Sequence, residues 1–185
     1  YQFGEAFQSE EGDRVFSAIE EATFQGFEIG ARIDSHPLVG GPWNVFAEAT
    51  YTYTDSEIKK NEGNPGTKGN EVPEAIKHYA NLTLGLAYAK LWDVSVSATH
   101  RGGWFVDDEN TVGFEFDEEV GEIQPARVDG QWLLSARGNY HYNEKLTLWA
   151  SGQNLTNEFY LAGVEDGLKL SVGRTVMGGV TVKFD

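Results

Sequence analysis

The stretch Thr175–Phe184 reads T-V-M-G-G-V-T-V-K-F and alternates between two kinds of side chain with a period of two. In an extended strand, successive side chains point to opposite faces of the sheet. One face therefore carries Val176, Gly178, Val180, Val182 and Phe184. The other face carries Thr175, Met177, Gly179, Thr181 and Lys183. The stretch predicts a β-strand with one apolar and one mainly polar face.

The same alternation recurs in six earlier segments, and each is about as long as the ~9–11 residues that a tilted strand needs to cross a bilayer. They are Phe27–Asp34, Trp43–Tyr53, Tyr79–Tyr88, Asp93–Trp104, Gln131–Tyr142 and Leu146–Gln153. The charged residues inside the seven segments all fall on the polar face. They include Glu28, Arg32, Asp34, Glu48, Arg101, Arg137 and Lys183. His100 is the polar exception on the apolar face.

The connections between these segments alternate between short and long. The short ones are Ser35–Pro42, Ala89–Trp92 and Asn143–Lys145, and the long ones are Thr54–His78, Phe105–Asp129 and Asn154–Arg174. An up-and-down barrel with one turn side and one loop side produces this order. Greek-key crossings in a soluble sandwich give no reason for it.

Composition excludes several classes of protein. The 185 residues include 14 basic and 29 acidic ones, which gives a net charge of −15, so no nucleic-acid partner is predicted. Without cysteine there is no disulfide, thiolate metal site or Cys nucleophile. No apolar run approaches the ~18 residues of a transmembrane helix, but the strands of a transmembrane barrel alternate and leave no such run.

Aromatic residues indicate which solvent the apolar face meets. Six of them lie on that face near segment ends: Tyr51, Tyr53, Trp104, Tyr140, Tyr142 and Phe184. Aromatic girdles at both ends of an outward apolar band are typical of outer-membrane barrels. The alternative is an ordinary core in a soluble β-barrel of lipocalin type. We predict an all-β, antiparallel transmembrane barrel, in which a partial strand near Tyr1–Phe7 either completes ~8 strands or belongs to a larger wall.

The end of the chain resembles the TonB-dependent outer-membrane receptors. The resemblance rests on Gln153–Tyr160 (Q-N-L-T-N-E-F-Y), then Gly173-Arg174-Thr175, then a last strand that ends in the aromatic Phe184. Gln25–Glu28, Tyr51–Asp55 and Val72-Pro73 before His78 fit the same family, and the details are most similar to ferric-citrate-type receptors.

This resemblance implies that residues 1–185 are the C-terminal seven or eight strands, about a third, of a 22-stranded barrel. The plug domain, the TonB box and the earlier strands are absent from the sequence. The implied function is uptake of a ferric siderophore or similar small nutrient across the bacterial outer membrane, without catalysis or a cofactor. Its implied partners are membrane lipid, TonB acting through the plug, and the barrel-assembly machinery. Gly179, Val182 and Phe184 match the assembly signal, although Asp185 follows the aromatic and Met177 stands where a polar residue is usual.

Candidate ligand-binding residues lie on the polar face or in the long connections. They are Arg32, Glu48, Arg101, Arg127, Arg137, His141 and Arg174. Contact with the plug is the default expectation for the confined charges, since such charges tend to pair.

The connection Phe105–Arg127 carries eight acids: Asp107, Asp108, Glu109, Glu115, Asp117, Glu118, Glu119 and Glu122. It could hold a hard cation, but it lacks the EF-hand spacing, and a solvated acidic loop is the preferred interpretation. The four His residues show no metal-ligand spacing, and no nucleophile–base pair nominates an enzyme. The alternative function is an autonomous small outer-membrane barrel with a structural or adhesion role.

Overall fold

The computed structural model describes residues 4–8, 14–36, 40–117, 122–163 and 169–184. Within these ranges the elements are β1 (Gly4–Gln8), β2 (Arg14–Ala18), β3 (Glu21–Asp34), β4 (Trp43–Lys60), a 3-10 turn (Pro65–Thr67), β5 (His78–Tyr88), β6 (Trp92–Arg101), β7 (Trp104–Phe105), β8 (Phe114–Asp117), β9 (Glu122–Pro125), β10 (Arg127–Val128), β11 (Gln131–His141), β12 (Leu146–Gln153), β13 (Leu161–Gly163), β14 (Lys169–Leu170) and β15 (Thr175–Val182). No helix in the described ranges is long and apolar enough to span a bilayer.

Seven strands form one antiparallel sheet in the order β15-β12-β11-β6-β5-β4-β3. These are the seven predicted segments. Strands that are neighbours in the sheet are also consecutive among these seven segments along the chain. The predicted up-and-down order of the wall is therefore confirmed. The described strands of this sheet do not close on themselves, because β3 and β15 stand at its two edges.

The expectation of an eighth wall strand near Tyr1–Phe7 is wrong for the described residues. β1 pairs with β2 in a separate two-stranded sheet, with Gly4 opposite Ala18. Neither β1 nor β2 belongs to the seven-stranded sheet. The hypothesis of an autonomous barrel of ~8 strands is therefore not supported by β1.

The long connections contain more structure than the sequence predicts. β4 continues to Lys60, six residues beyond the predicted start of its loop, while three short strand pairs form within the later connections: β7 with β10, β8 with β9, and β13 with β14. The predicted segment Asp93–Trp104 instead ends at Arg101, after which Gly102 and Gly103 interrupt the strand.

Register confirms the two faces of the sheet. Leu84 lies opposite Val96, which lies opposite Ala136 on the next strand. One residue along, Thr83 lies opposite Ser97, whose hydroxyl is 2.7 Å away. Because the pairing keeps like with like across these three strands, the apolar residues form one continuous face and the polar residues the other.

The chain divides into two compact units. Unit 1 comprises Tyr1–Phe27, Tyr53–Lys77 and Gly102–Gly130, and unit 2 comprises Glu28–Thr52, His78–Arg101 and Gln131–Asp185. The buried apolar side chains of the described residues all belong to unit 1: Ile58, Val72, Trp104, Ala126 and Val128. In unit 2 the apolar rows of the sheet are exposed, with Leu84, Val96 and Val180 each about half accessible. Among the described residues of unit 2, no apolar side chain of these rows is buried, and this agrees with an outward-facing apolar surface.

Aromatic residues near the strand ends mostly follow the prediction. Tyr140, Tyr142 and Phe184 are exposed, and Tyr51 and Tyr53 are half-buried. At the short-turn end, Trp43 meets Tyr88 and Trp92 edge-on, with ring centroids 4.7 and 5.8 Å apart.

Trp104 and His100 were both assigned to the apolar face, and their environments differ. Trp104 is only 2% exposed, so its assignment to the girdle is wrong. It lies beyond the glycine break and packs into the core of unit 1. His100 does lie on the apolar face, where it stacks on Trp132 and hydrogen-bonds the Gln131 carbonyl.

Candidate functional site

The polar face of unit 2 is lined mainly by hydroxyl and amide side chains that hydrogen-bond each other. Asn81 donates to Thr99 over 2.8 Å, and Thr83 donates to the Asn81 carbonyl oxygen over 3.1 Å. Ser95, Ser97, Ser135 and Ser151 continue the row on neighbouring strands. Such a surface offers hydrogen-bond donors and acceptors to water and to small polar molecules.

At the short-turn end of this face, His141 is held in a polar cluster. Its Nε2 lies 2.9 Å from the Asp93 carboxylate and its Nδ1 lies 3.0 Å from the Thr147 hydroxyl. Asn139 donates to the other Asp93 oxygen over 2.6 Å. The cluster borders an open depression of about 590 Å³ that Lys90 and Lys183 also line. Both ring nitrogens of His141 have protein partners, so the predicted ligand role of His141 would require their displacement.

Arg32 and Glu48, two predicted ligand residues, pair with each other. The Arg32 guanidinium donates to Glu48 over 2.9 Å and to Asp34 over 3.4 Å. It also lies 4.6 Å from the centre of the Phe46 ring. All three charged side chains are at least partly accessible, and an exposed pair of this kind contributes little to stability. Its effect is to fix where the guanidinium points.

Arg137, on β11, occupies a similar setting on the same polar face. Its guanidinium lies 5.5 Å from the Trp149 ring centre, and its Nε donates to Asn139 over 3.3 Å. Through Asn139, Arg137 belongs to the same polar region as His141. Among the described residues, no carboxylate lies within ion-pair distance of Arg137.

The remaining predicted cations lie apart from these groups. Arg101 is half-buried and stands opposite Tyr79 and Gln131 in the register. Arg127, in unit 1, is exposed and lies 5.4 Å from the Phe105 ring centre. Arg174 is exposed, and its backbone N–H donates to Asn157 over 2.9 Å.

Two asparagines explain the N-L-T-N run before the last strand. Asn154 is buried with φ +49°, and Asn157 has φ +57°. Asparagine tolerates this left-handed conformation better than most residues. The Asn154 amide donates to the carbonyls of Glu158 (2.8 Å) and Val172 (3.2 Å), and its oxygen accepts from the Glu158 N–H (2.9 Å). The run thus ties the connection to the chain that enters β15.

We expect Asn154→Ala to destabilise this connection by about 3 kcal/mol, since three hydrogen bonds of about 1 kcal/mol each are lost and alanine is strained at positive φ. The urea midpoint of the purified full-length receptor measures the loss. Asn154→Gly, which removes the bonds but fits the backbone, should recover about 1 kcal/mol. Equal midpoints for wild type and Asn154→Ala would contradict the assigned role.

The acidic connection Phe105–Arg127 of unit 1 is hydrogen-bonded to the connection Thr54–His78. The preferred interpretation as a solvated acidic loop is therefore wrong for this part of the chain. Asp108 is 8% exposed, and its carboxylate accepts from the Asn61 amide over 2.7 Å. Glu109 accepts from Asn64, and Asn110 exchanges two hydrogen bonds with the Glu71 backbone. Asparagine amides therefore bind one long connection to the other within unit 1.

For five other acids of this connection, no side-chain contact is described. Glu118 and Glu119 lie outside the described residues, and only the backbone is described for Glu115, Asp117 and Glu122. No cluster of three or more potential metal ligands forms among the described residues.

Burial raises the pKa of the Asp108 carboxyl, and the negative charges of Glu109 and Asp107 raise it further. Because the folded pKa lies above the unfolded one, this group's contribution to stability is complete below the unfolded pKa and is lost as the pH rises through the folded pKa. Relative to Asp108→Asn, the wild type should therefore gain stability as the pH falls from 7 to 4. Protection of the Val106 amide, bonded to Ala126, measures this by hydrogen exchange.

The matched control is Glu109→Gln, because Glu109 is exposed and glutamine still accepts from Asn64. This control should show no comparable pH-dependent difference from wild type. A wild type that loses protection relative to Asp108→Asn on acidification would contradict the assignment.

The three predicted assembly-signal residues occupy β15 and the residues just beyond it. Val182 and Phe184 are exposed. Gly179 lies directly opposite Trp149, and a Cβ added there would come within 2.7 Å of that ring. Gly179 therefore has a packing reason to be glycine, independent of recognition during assembly, which stays a prediction.

Sequence reasoning missed the aromatic residues that cover glycines on the polar face. Phe46 covers Gly85 in the way that Trp149 covers Gly179, since a Cβ at Gly85 would overlap the Phe46 ring. A glycine at a polar-face position was the available signal. It could not name its partner without the register of the next strand.

The chain is similar to one protein family and to several solved structures. The family described as TonB dependent receptor-like, beta-barrel, matches residues 3–155. Among solved structures, the siderophore receptor PiuA from Acinetobacter baumannii superposes with a TM-score of 0.66 at 21% identity, over 88% of this chain and 22% of that one. The unliganded ferric citrate transporter FecA gives 0.67 at 24% identity, over 97% and 27%. The copper transporter OprC gives 0.64 at 16% identity, over 100% and 27%. The chain thus spans about a quarter of the length of these structures, and at this identity the likeness shows the fold.

Proposed function

Because the chain belongs to the TonB-dependent receptor β-barrel family, we propose that it forms part of the wall of an outer-membrane receptor that takes up a ferric chelate. Members of this family are outer-membrane receptors rather than enzymes. In the proposed whole protein, residues 1–185 are the C-terminal strands of a 22-stranded barrel. The chain's own placement in the membrane, its cargo and its partners are part of the proposal.

The observation that carries the proposal is the separation of the two faces across the register. A row of accessible Val and Leu side chains suits contact with hydrocarbon, while the hydroxyl-lined face suits a hydrated interior. A soluble barrel would enclose the apolar row instead, and the buried apolar side chains of the described residues lie elsewhere, in unit 1.

The proposed mechanism assigns a role to each part. The long connections bind the cargo, a plug domain rearranges when TonB pulls on it, and the polar face borders the route. Docking of the acidic connection through Asn61, Asn64 and Asn110 would give unit 1 a fixed binding surface. The barrel-assembly machinery would read Gly179, Val182 and Phe184.

A ferric chelate is favoured as cargo because two of the similar structures are named a siderophore receptor and a ferric citrate transporter. The third is named a copper transporter, so the test includes copper. The acidic connection would repel an anionic chelate at close range. Exposed cations such as Arg127 and Arg174 would have to offset that repulsion.

A growth experiment with the full-length gene tests the proposal. Deletion should abolish growth when one defined ferric chelate is the sole iron source, and complementation should restore it. Growth on inorganic iron at high concentration should be unaffected. A deletion strain that grows normally on every ferric chelate, but fails to accumulate copper when copper is limiting, would overturn the choice of cargo.

A further inference from the structure

Two groups of three residues on the polar face are built in the same way. In the first, Arg32 on β3 lies over Phe46 on β4, whose ring covers Gly85 on β5. In the second, Arg137 on β11 lies over Trp149 on β12, whose ring covers Gly179 on β15. In both, three adjacent strands supply arginine, aromatic and glycine in chain order.

The glycine and the ring together determine where the guanidinium lies. Because glycine has no side chain, the aromatic ring can lie flat against the sheet, and the arginine can stack on the ring. Stacking fixes one surface of the guanidinium and leaves its edge, which carries the N–H donors, free to bind an acceptor. A group of this kind is prepared to receive a planar anion.

The two groups differ in what the guanidinium binds. Arg32 donates to the carboxylates of Glu48 and Asp34, at 2.9 and 3.4 Å. Arg137 donates only from its Nε to the neutral amide oxygen of Asn139, at 3.3 Å. Its two terminal nitrogens have no carboxylate or amide acceptor within hydrogen-bond distance among the described residues. Arg32 thus has carboxylate acceptors, whereas Arg137 has none among the described residues.

The surroundings of Arg137 fit an oxygen-rich anion. An open depression of about 280 Å³ lies against Arg137 and Trp149 and is lined by the hydroxyls of Ser95, Ser97, Ser135 and Ser151. Ser95 and Ser151 stand opposite Arg137 on its two neighbouring strands. Hydroxyls donate to carboxylate oxygens, and the depression has room for a carboxylate with several carbon atoms.

We propose that the Arg137–Trp149–Gly179 group is a carboxylate-binding site on the polar face. The carboxylate comes either from the cargo or from an acidic side chain in another part of the same receptor. The inference rests on the proposed function only in taking this face to border the barrel interior. Bidentate contact with a carboxylate is the geometry that a stacked guanidinium favours.

Iron-free citrate is a direct probe, used with the purified full-length receptor in detergent at pH 7.5. If the site is vacant in the receptor, citrate should raise the Tm of the wild type, and Arg137→Gln should raise the apparent Kd for citrate at least tenfold. Arg32→Gln is the matched control. Its guanidinium already has carboxylate partners, so this variant should change the Kd less than twofold.

If an internal carboxylate already occupies the site, the expected results differ. Citrate should then have no effect, and Arg137→Gln should lower the Tm more at pH 7.5 than at a pH near 2, because an arginine partner lowers the pKa of a carboxyl group and its protonation then requires a pH well below 4. Trp149 stacking is lost at both pH values, so a packing role alone gives an equal loss at both.

Two results overturn the proposal: a Tm of Arg137→Gln equal to that of wild type with no citrate response, or an equal loss at both pH values with no citrate response. Neither result bears on the growth experiment with ferric chelates. Failure of the carboxylate site is therefore distinguishable from failure of the uptake function.

Discussion

Val96→Arg should destabilise the receptor by about 2–4 kcal/mol, the cost of placing arginine on the lipid face near the bilayer midplane of an outer-membrane barrel. Val96 lies in the middle of β6, between Leu84 and Ala136 in the register, and is 48% exposed. A protein dissolved in water would tolerate arginine at such an accessible position. The penalty appears only if hydrocarbon surrounds the side chain.

Ser97→Arg is the matched control for this prediction, since Ser97 is the next residue and points to the opposite face. It loses the hydrogen bond to Thr83, which costs about 1 kcal/mol, and it meets a hydrated surface. Urea midpoints in lipid vesicles measure both variants. Equal costs at the two positions would contradict the assignment of the faces.

Gly26→Ala should cost about 3 kcal/mol, the upper end of the usual range for overpacking. A Cβ at position 26 would overlap the backbone carbonyl of Tyr53 and lie 3.1 Å from the Thr54 Cα. Backbone atoms inside a hydrogen-bonded sheet cannot move aside as a flexible side chain can. We expect the loss as a lower urea midpoint and a weaker heat-modifiable band on electrophoresis.

Gly30→Ala is the control, because it lies four residues further along β3. A Cβ there meets the Thr50 methyl group at 3.7 Å and the Ala49 carbonyl oxygen at 4.0 Å, both ordinary contacts. Its midpoint should stay within about 0.5 kcal/mol of wild type. A larger loss at position 30 than at position 26 would show that β3 and β4 do not approach each other as described.

The wall was predictable from sequence because its two-residue period directly reports which residues share a face. Every one of the seven segments formed a strand in the expected order, and the positions of Arg32, Arg101 and Arg137 on the polar face followed from counting. The family itself, to which the N-L-T-N run, the G-R pair and the last strand pointed, was confirmed by the match to residues 3–155, a range that ends before the G-R pair and the last strand.

Features that depend on two distant segments were not predictable. Trp104 has the parity of the apolar face, but Gly102 and Gly103 end the strand before it, and the residue is buried in unit 1. Asp108 resembles its acidic neighbours until Asn61, 47 positions earlier, supplies a donor. Likewise, the difference between Arg32 and Arg137 lies in partners on adjacent strands, which one segment read alone does not reveal.

Site-directed spin labelling of β6 distinguishes side chains that face lipid from side chains that face water. The sequence of this chain contains no cysteine, so single cysteines at positions 94 to 97 of the full-length receptor, with any others removed, can each carry a label in lipid vesicles. We expect the spin labels at positions 94 and 96 to be highly accessible to oxygen, and the labels at positions 95 and 97 to be highly accessible to a water-soluble nickel chelate. The opposite alternation, or no alternation at all, would contradict an apolar face turned to lipid and a polar face turned to a hydrated interior.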